Sequence, residues 1–216
     1  MKVFDRPWIC FGLGLLVFPI GKLLIVPNLM FNFIVTLVHE TGHAAAAWFM
    51  GMPAIPKMSL AGDGGVTQWW DQHMVIAIGV MAALAYGVFH FRERKPVMIA
   101  LIVVLAVYPF FAFTRHKETL AVASGVILEL VAAAYCFNVC LRRNLKRPFE
   151  RPLYAMIGWW LVANRAAENF LLLTNKSYRA EHEILNSTLA AGLTHDLLLL
   201  PDLLGWSPEA VLIFFL

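Results

Sequence analysis

The sequence predicts an all-α polytopic membrane protein: a transmembrane helical bundle of about six spans, closed by a late re-entrant or interfacial hairpin. Three observations predict it. Of the 216 residues, 60% are apolar and only 14% are charged, against about 45–50% and about 25% in ordinary soluble domains. The mean hydropathy of +0.70 over 24.2 kDa is more apolar material than one aqueous core of this size can enclose, so lipid must solvate much of the surface. Finally, apolar windows of about 20 residues, the length that crosses a hydrocarbon core, recur between charge clusters. The same composition excludes disordered, collagen-like and disulfide-scaffold classes, because 14 Gly, 11 Pro and 3 Cys are unremarkable for the length. A formal net charge of +3 is too small to indicate a nucleic-acid partner, and the basic residues read first as topology signals.

The six windows run over 8–26, 29–50, 74–91, 96–114, 119–141 and 153–174. The first follows Lys2 and Arg6 and continues through Pro19, Lys22 and Pro27 without a small-residue cleavage site, so it reads as a retained anchor and not as a signal peptide. Between the second and third lies a polar connection, 51–73. Met52-Pro53-Ala54-Ile55-Pro56 and the run from Gly62 to Gly65 give it turn chemistry, and Trp69-Trp70 suits a membrane boundary. It reads equally as a plain connecting loop and as a segment that pairs with an extended substrate. The stretch from Leu197 to Leu216 is interrupted by Pro201, Asp202, Gly205 and Pro208, which predicts a hairpin in place of a seventh span.

No repeat or composition break divides the chain, so residues 1–216 read as one domain. If the spans alternate, eight basic residues (Arg92, Arg94, Lys95, Arg142, Arg143, Lys146, Arg147, Arg151) face seven on the other side (Lys2, Arg6, Lys57, Arg115, Lys117, Lys176, Arg179). That near-balance leaves the dense cluster 142–151 as the feature that assigns its own side to the cytoplasm. Cys10, Cys136 and Cys140 all fall within spans and read as small buried hydrophobes.

The second span carries the motif with chemistry, Val38-His39-Glu40-Thr41-Gly42-His43-Ala44. On a helix, residues four apart share a face, so His39 and His43 can grip one metal ion, with Glu40 beside them. Two imidazole ligands and an adjacent carboxylate are the donor set of a zinc hydrolase: zinc lowers the pKa of water toward about 7, and the carboxylate takes the proton and passes it to the leaving amine. With seven His and nine Glu, random shuffling yields such a match about 0.01 times, so coincidence competes weakly. Ionisable groups inside an apolar helix are expensive to bury unless paired or metal-bound, which strengthens the metal reading over a bland interhelical hydrogen-bond cluster. A membrane di-iron oxygenase needs more histidine clusters than this one pair supplies.

These residues resemble the site-2 protease family of intramembrane zinc metalloproteases, especially its small bacterial branch. The resemblance rests on the apolar helix bearing His39-Glu40-Thr41-Gly42-His43 and on Gly62-Asp63-Gly64-Gly65-Val66-Thr67, similar to the Gly-Gly-Val-Thr loop that follows the motif helix in that branch. It covers residues 33–67 closely and the rest only as a plan of spans. It implies a zinc-dependent endopeptidase of the bacterial cytoplasmic membrane, surrounded by lipid, that holds one zinc ion and cuts a partner protein's transmembrane or juxtamembrane segment. The chain has no Leu-Asp-Gly, the motif from which other members draw a third ligand. In the place where the small branch carries a late acidic patch stands Ala180-Glu181-His182-Glu183-Ile184-Leu185, which makes His182 the first choice for the third ligand, with Glu181 and Glu183 beside it.

Asp196, Asp202, Glu129 and Glu168 are its rivals. For Glu129 and Glu168 another role competes, since Arg165 paired with either would be a compensated ion pair that fixes packing. His73, His90 and His116 sit at span ends, where solvated or headgroup-facing roles are the expectation. The missing Leu-Asp-Gly also sustains a second function: a proteolytically inactive relative acting as a membrane scaffold or accessory subunit.

Overall fold

Prolines and glycines decide where the helices of this chain begin and end. The computed structural model describes residues 6–58, 64–142, 147–180 and 196–215. Helix α1, Pro7–Leu23, opens on a proline in its first turn, where the missing N–H has no intrahelical partner to lose. At Leu24 the backbone becomes extended, with φ −97° and ψ 125°, and helix α2, Ile25–Phe49, begins at once. Pro27 explains the break: it cannot donate to the carbonyl of Leu23, so one continuous helix fails there, whereas the first turn of a new helix tolerates it. The two axes meet at 112°.

Helix α2 ends at Gly51, whose φ of +82° is left-handed. Gly51 N–H donates to Trp48 O at 3.0 Å and Met52 N–H to Ala47 O at 2.8 Å, the two bonds that close a helix C-terminus around an αL glycine. The chain then turns into strand β1, Ala54–Met58, which pairs antiparallel with β2, Gly65–Trp69, in a register that sets Pro56 opposite Thr67. Both strands lie against α2, and Trp48 Nε1 donates to Ala54 O at 2.8 Å to pin the turn. The described residues of the 51–73 connection therefore include a two-stranded ribbon, and the fold is nearly all-α instead of wholly so.

Helices α3, Met74–His90, and α4, Lys95–Ala112, pack on each other, and α5, His116–Leu141, runs antiparallel to α2 through the middle of the molecule. A short 3-10 turn, Pro148–Glu150, leads into α6, Arg151–Thr174, which packs on both α1 and α5. Helices α7, Asp196–Leu204, and α8, Pro208–Phe214, contact each other across Gly205, whose φ is +70°, so the expected late hairpin takes the form of two short helices.

Among the described residues, α4 and α5 are each long and apolar enough to cross a membrane, and the bent pair α1–α2 brings the number to three if it counts as one span. The other predicted spans differ for identifiable reasons. Helix α3 is apolar but only 17 residues long. Helix α6 has 24 residues, but Asn164, Arg165, Glu168 and Asn169 interrupt its apolar character. Large apolar side chains such as Val75, Phe89, Ile102 and Phe110 are exposed on α3 and α4.

Two apolar clusters hold α2 against α5. Near the ribbon, Ala44, Ala47, Met50, Met52 and Ala54 pack with Tyr108, Ala112 and Ala121, and the Tyr108 hydroxyl lies 3.0 Å from the carbonyls of both Phe49 and Ala77. Toward the other end of α2, Phe31 and Val35 pack with Ala133, Trp160 and Leu161, the Phe31 and Trp160 rings stacked at 4.6 Å. The histidine motif lies between the two clusters.

Candidate metal centre

The helical period puts His39 and His43 on the face of α2 that meets α5, and α5 answers with residues at the same spacing: Ala121, Gly125 and Glu129. His43 Nδ1 donates to the carbonyl of Ala121 at 2.7 Å, and His39 Nδ1 donates to Glu129 Oε1 at 2.6 Å. A carbonyl can only accept, and an Arg-paired carboxylate accepts in preference, so both rings carry their proton on Nδ1 and present an Nε2 lone pair. Those two Nε2 atoms are 3.0 Å apart, with the rings edge to face at 4.6 Å between centroids.

The donor set therefore fits a metal. Two lone pairs facing each other at that distance repel unless a shared proton or a metal ion lies between them. Two nitrogens bound to one tetrahedral zinc at about 2.0–2.1 Å stand about 3.3 Å apart, a few tenths from the separation observed. A Cβ on Gly125 would lie 2.5 Å from His43 Nε2 and 2.7 Å from His39 Cε1, so only the bare backbone of α5 lets the two rings pack this closely on it. Gly42 meets the same stretch, its own Cβ position falling 3.0 Å from the Gly125 Cα and against the Ser124 carbonyl. The helices cross at this glycine contact, which seats both imidazoles on α5.

Glu40, beside the pair in sequence, meets the ribbon. It is 5% exposed, and the Thr67 hydroxyl donates to its Oε2 at 2.6 Å, with the Glu40 carbonyl at 3.0 Å from the same hydroxyl. Gly65 is the other half of this contact: a Cβ there would lie 2.7 Å from both Glu40 Cγ and Thr36 Cγ2. The described part of the Gly-Gly-Val-Thr segment thus has a structural reason, since glycine lets β2 close on the helix and threonine satisfies the carboxylate. The Trp69 ring, at the end of β2, stands 6.5 Å from that of His43.

The rivals for a third ligand fall into distinct places. Glu129 is 1% exposed and lies on the Nδ1 side of His39, so it is an outer partner of the ring and not a ligand beside Nε2. Its Oε2 accepts from Arg165 Nε at 2.9 Å and its Oε1 from Arg165 Nη2 at 2.6 Å, while Arg165 Nη1 reaches Glu168 Oε2 at 2.8 Å. The ion pair expected of Arg165 is present with both carboxylates. Asp202 is exposed on α7. His182, Glu181, Glu183 and the side chain of Asp196 lie outside the described residues. Among the described residues, no group of three His, Cys, Asp or Glu is placed to hold a metal ion.

Sequence reasoning did not single out Gly125, the Ala121 carbonyl or the Thr67 contact. A small-small-carboxylate stripe at intervals of four on α5 was the available signal for the first two. A polar cluster at the α1–α2 bend also escaped notice: Lys22 Nζ donates to Asn164 Oδ1 at 2.6 Å and Asn32 Oδ1 at 3.2 Å, and Trp160 Nε1 donates to Asn32 Oδ1 at 3.1 Å. No family model, curated protein or solved structure matches the chain.

Proposed function

We propose that this protein is a zinc-dependent intramembrane endopeptidase that hydrolyses peptide bonds in or near the transmembrane segments of partner proteins. The observation that carries the reading is the convergence of His39 Nε2 and His43 Nε2 at 3.0 Å on an apolar helix whose next side chain is the buried Glu40. When bound, zinc supplies Lewis acidity, bringing the pKa of water toward about 7 and polarising a carbonyl. His39 and His43 would hold it through Nε2, each ring oriented by the acceptor on its Nδ1. Glu40 accepts the proton of the attacking water and returns it to the leaving amine. Thr67 fixes the carboxylate plane for both transfers. The β1–β2 ribbon brings extended backbone beside Glu40, where a substrate strand can be received by backbone pairing.

The test is a pair of measurements on Glu40→Gln in protein reconstituted with a single-span substrate. The variant keeps its zinc and loses cleavage by about 10²- to 10⁴-fold, the range for a general acid–base residue. Full metal content with undiminished cleavage would remove Glu40 from the mechanism.

A further inference from the structure

His39 is held by more than its own helix. Glu129 Oε1 accepts from His39 Nδ1 and from Arg165 Nη2, both at 2.6 Å, and Glu129 Oε2 accepts from Arg165 Nε at 2.9 Å. Arg165 Nη2 itself stands 3.2 Å from His39 Nδ1. The side chains of Glu129 and Arg165 are only 1% and 9% exposed. Apolar side chains of similar volume would hold α5 to α6 at least as well as a buried ion pair, so packing alone does not account for this one. What the pair adds is direction. The guanidinium is a rigid planar fork, and two parallel bonds fix the plane of the carboxylate it grips. That plane decides where Oε1 points, and Oε1 decides the rotation of the His39 ring, hence where its Nε2 lies relative to His43.

We propose that Glu129 and Arg165 are positioning residues for the metal pair. Arg165 of α6 orients Glu129 of α5, and Glu129 holds His39 of α2 with its Nε2 turned toward His43. The site is thereby assembled from three helices, although its proposed ligands among the described residues come from one. Glu168 extends the arrangement, because its bond to Arg165 Nη1 uses the remaining arm of the fork. The inference rests on the zinc reading above.

The experiment uses the full chain purified in detergent, with zinc affinity measured by chelator competition, the visible absorption of the cobalt-loaded protein, and thermal unfolding of the metal-free protein. Glu129→Gln weakens zinc about 10- to 100-fold, as loss of an outer partner of a histidine ligand does, and shifts the cobalt bands. Arg165→Lys, which keeps charge but loses the fork, gives a smaller loss in the same direction. Because each single change leaves a buried charge, the double variant Glu129→Gln/Arg165→Met is included: it unfolds close to the parent when metal-free and still shows weakened zinc and an altered cobalt spectrum. A folded double variant with zinc affinity within about twofold of the parent and unchanged cobalt bands overturns the inference while leaving the zinc reading intact. A parent chain that binds no zinc overturns both.

Discussion

His39 and His43 bring their Nε2 atoms to 3.0 Å while sending their Nδ1 protons to different groups on α5, Glu129 Oε1 and the Ala121 carbonyl. One helix supplies both rings, and its neighbour supplies both orientations. Between them, Gly125 contributes only backbone, and the close seating of both rings on α5 follows from that absence of a side chain.

Gly125→Ala is therefore expected to damage the centre more than its single methyl group suggests. The new Cβ would start 2.5 Å from His43 Nε2, so the ring must move by about 1 Å to reach ordinary contact distance. A misplacement of that size costs about 10²-fold in activity. Zinc content and cleavage rate of the variant check this. Wild-type values for both would mean that the close packing of the rings on Gly125 is not needed.

Thr67→Val should impair Glu40 without touching the histidines. The variant keeps volume but removes the donor to a buried carboxylate, which costs about 1–3 kcal/mol of stability. Cleavage falls with zinc still bound, and Thr67→Ser, which keeps the hydroxyl, restores most of it. Equal cleavage by the Val and Ser variants would show that the hydroxyl is idle.

At the α1–α2 bend, Asn164→Leu is expected to lower stability by about 1–3 kcal/mol, because the Lys22 ammonium loses its 2.6 Å acceptor in a half-buried place. Adding Lys22→Met removes the stranded charge and recovers part of the loss. Unfolding in detergent measures both, and a double variant less stable than Asn164→Leu alone would contradict the pairing.

Helix α8 offers a pH-dependent contact. Arg179 Nη1 donates to Glu209 Oε1 at 2.8 Å, and this bond holds the Glu209 carboxyl below the usual carboxylate range. A depressed folded value stabilises the contact above the unfolded pKa and loses it as pH falls through the folded one. Hydrogen-exchange protection of the α8 amides, corrected for the intrinsic pH dependence, should therefore decline as pH falls from the ordinary glutamate range toward the lowered folded value. In Arg179→Gln the depression and its pH-dependent contribution are removed, so the profile should flatten at reduced protection, and a profile like the parent's would contradict the assignment.

Much of this was legible in the residues themselves. The helical spacing of His39 and His43 put their rings on one face, and Pro201, Gly205 and Pro208 declared a broken terminal stretch, because backbone chemistry is local. The partners were less legible. Nothing in α5 alone says that Ala121, Gly125 and Glu129 face two histidines 78 to 90 residues away; helix register against a neighbour is a tertiary fact. Glu129 was noticed as a costly intramembrane charge, but whether it binds metal or orients a ligand depends on which ring nitrogen it meets. Thr67 lay within a segment valued for its turns, and its hydroxyl gained a role only when β2 closed over Glu40. The span count followed apolar length, which is blind to the 112° bend that makes α1 and α2 at most one span and to the polar middle of α6.

The most direct test of the central claim is the zinc content of the purified full chain by elemental analysis, alongside His39→Ala. The account predicts one equivalent of zinc per chain in the wild type and its loss in the variant. A folded wild-type chain that carries no zinc and takes up none when it is supplied would contradict the account and favour a membrane scaffold.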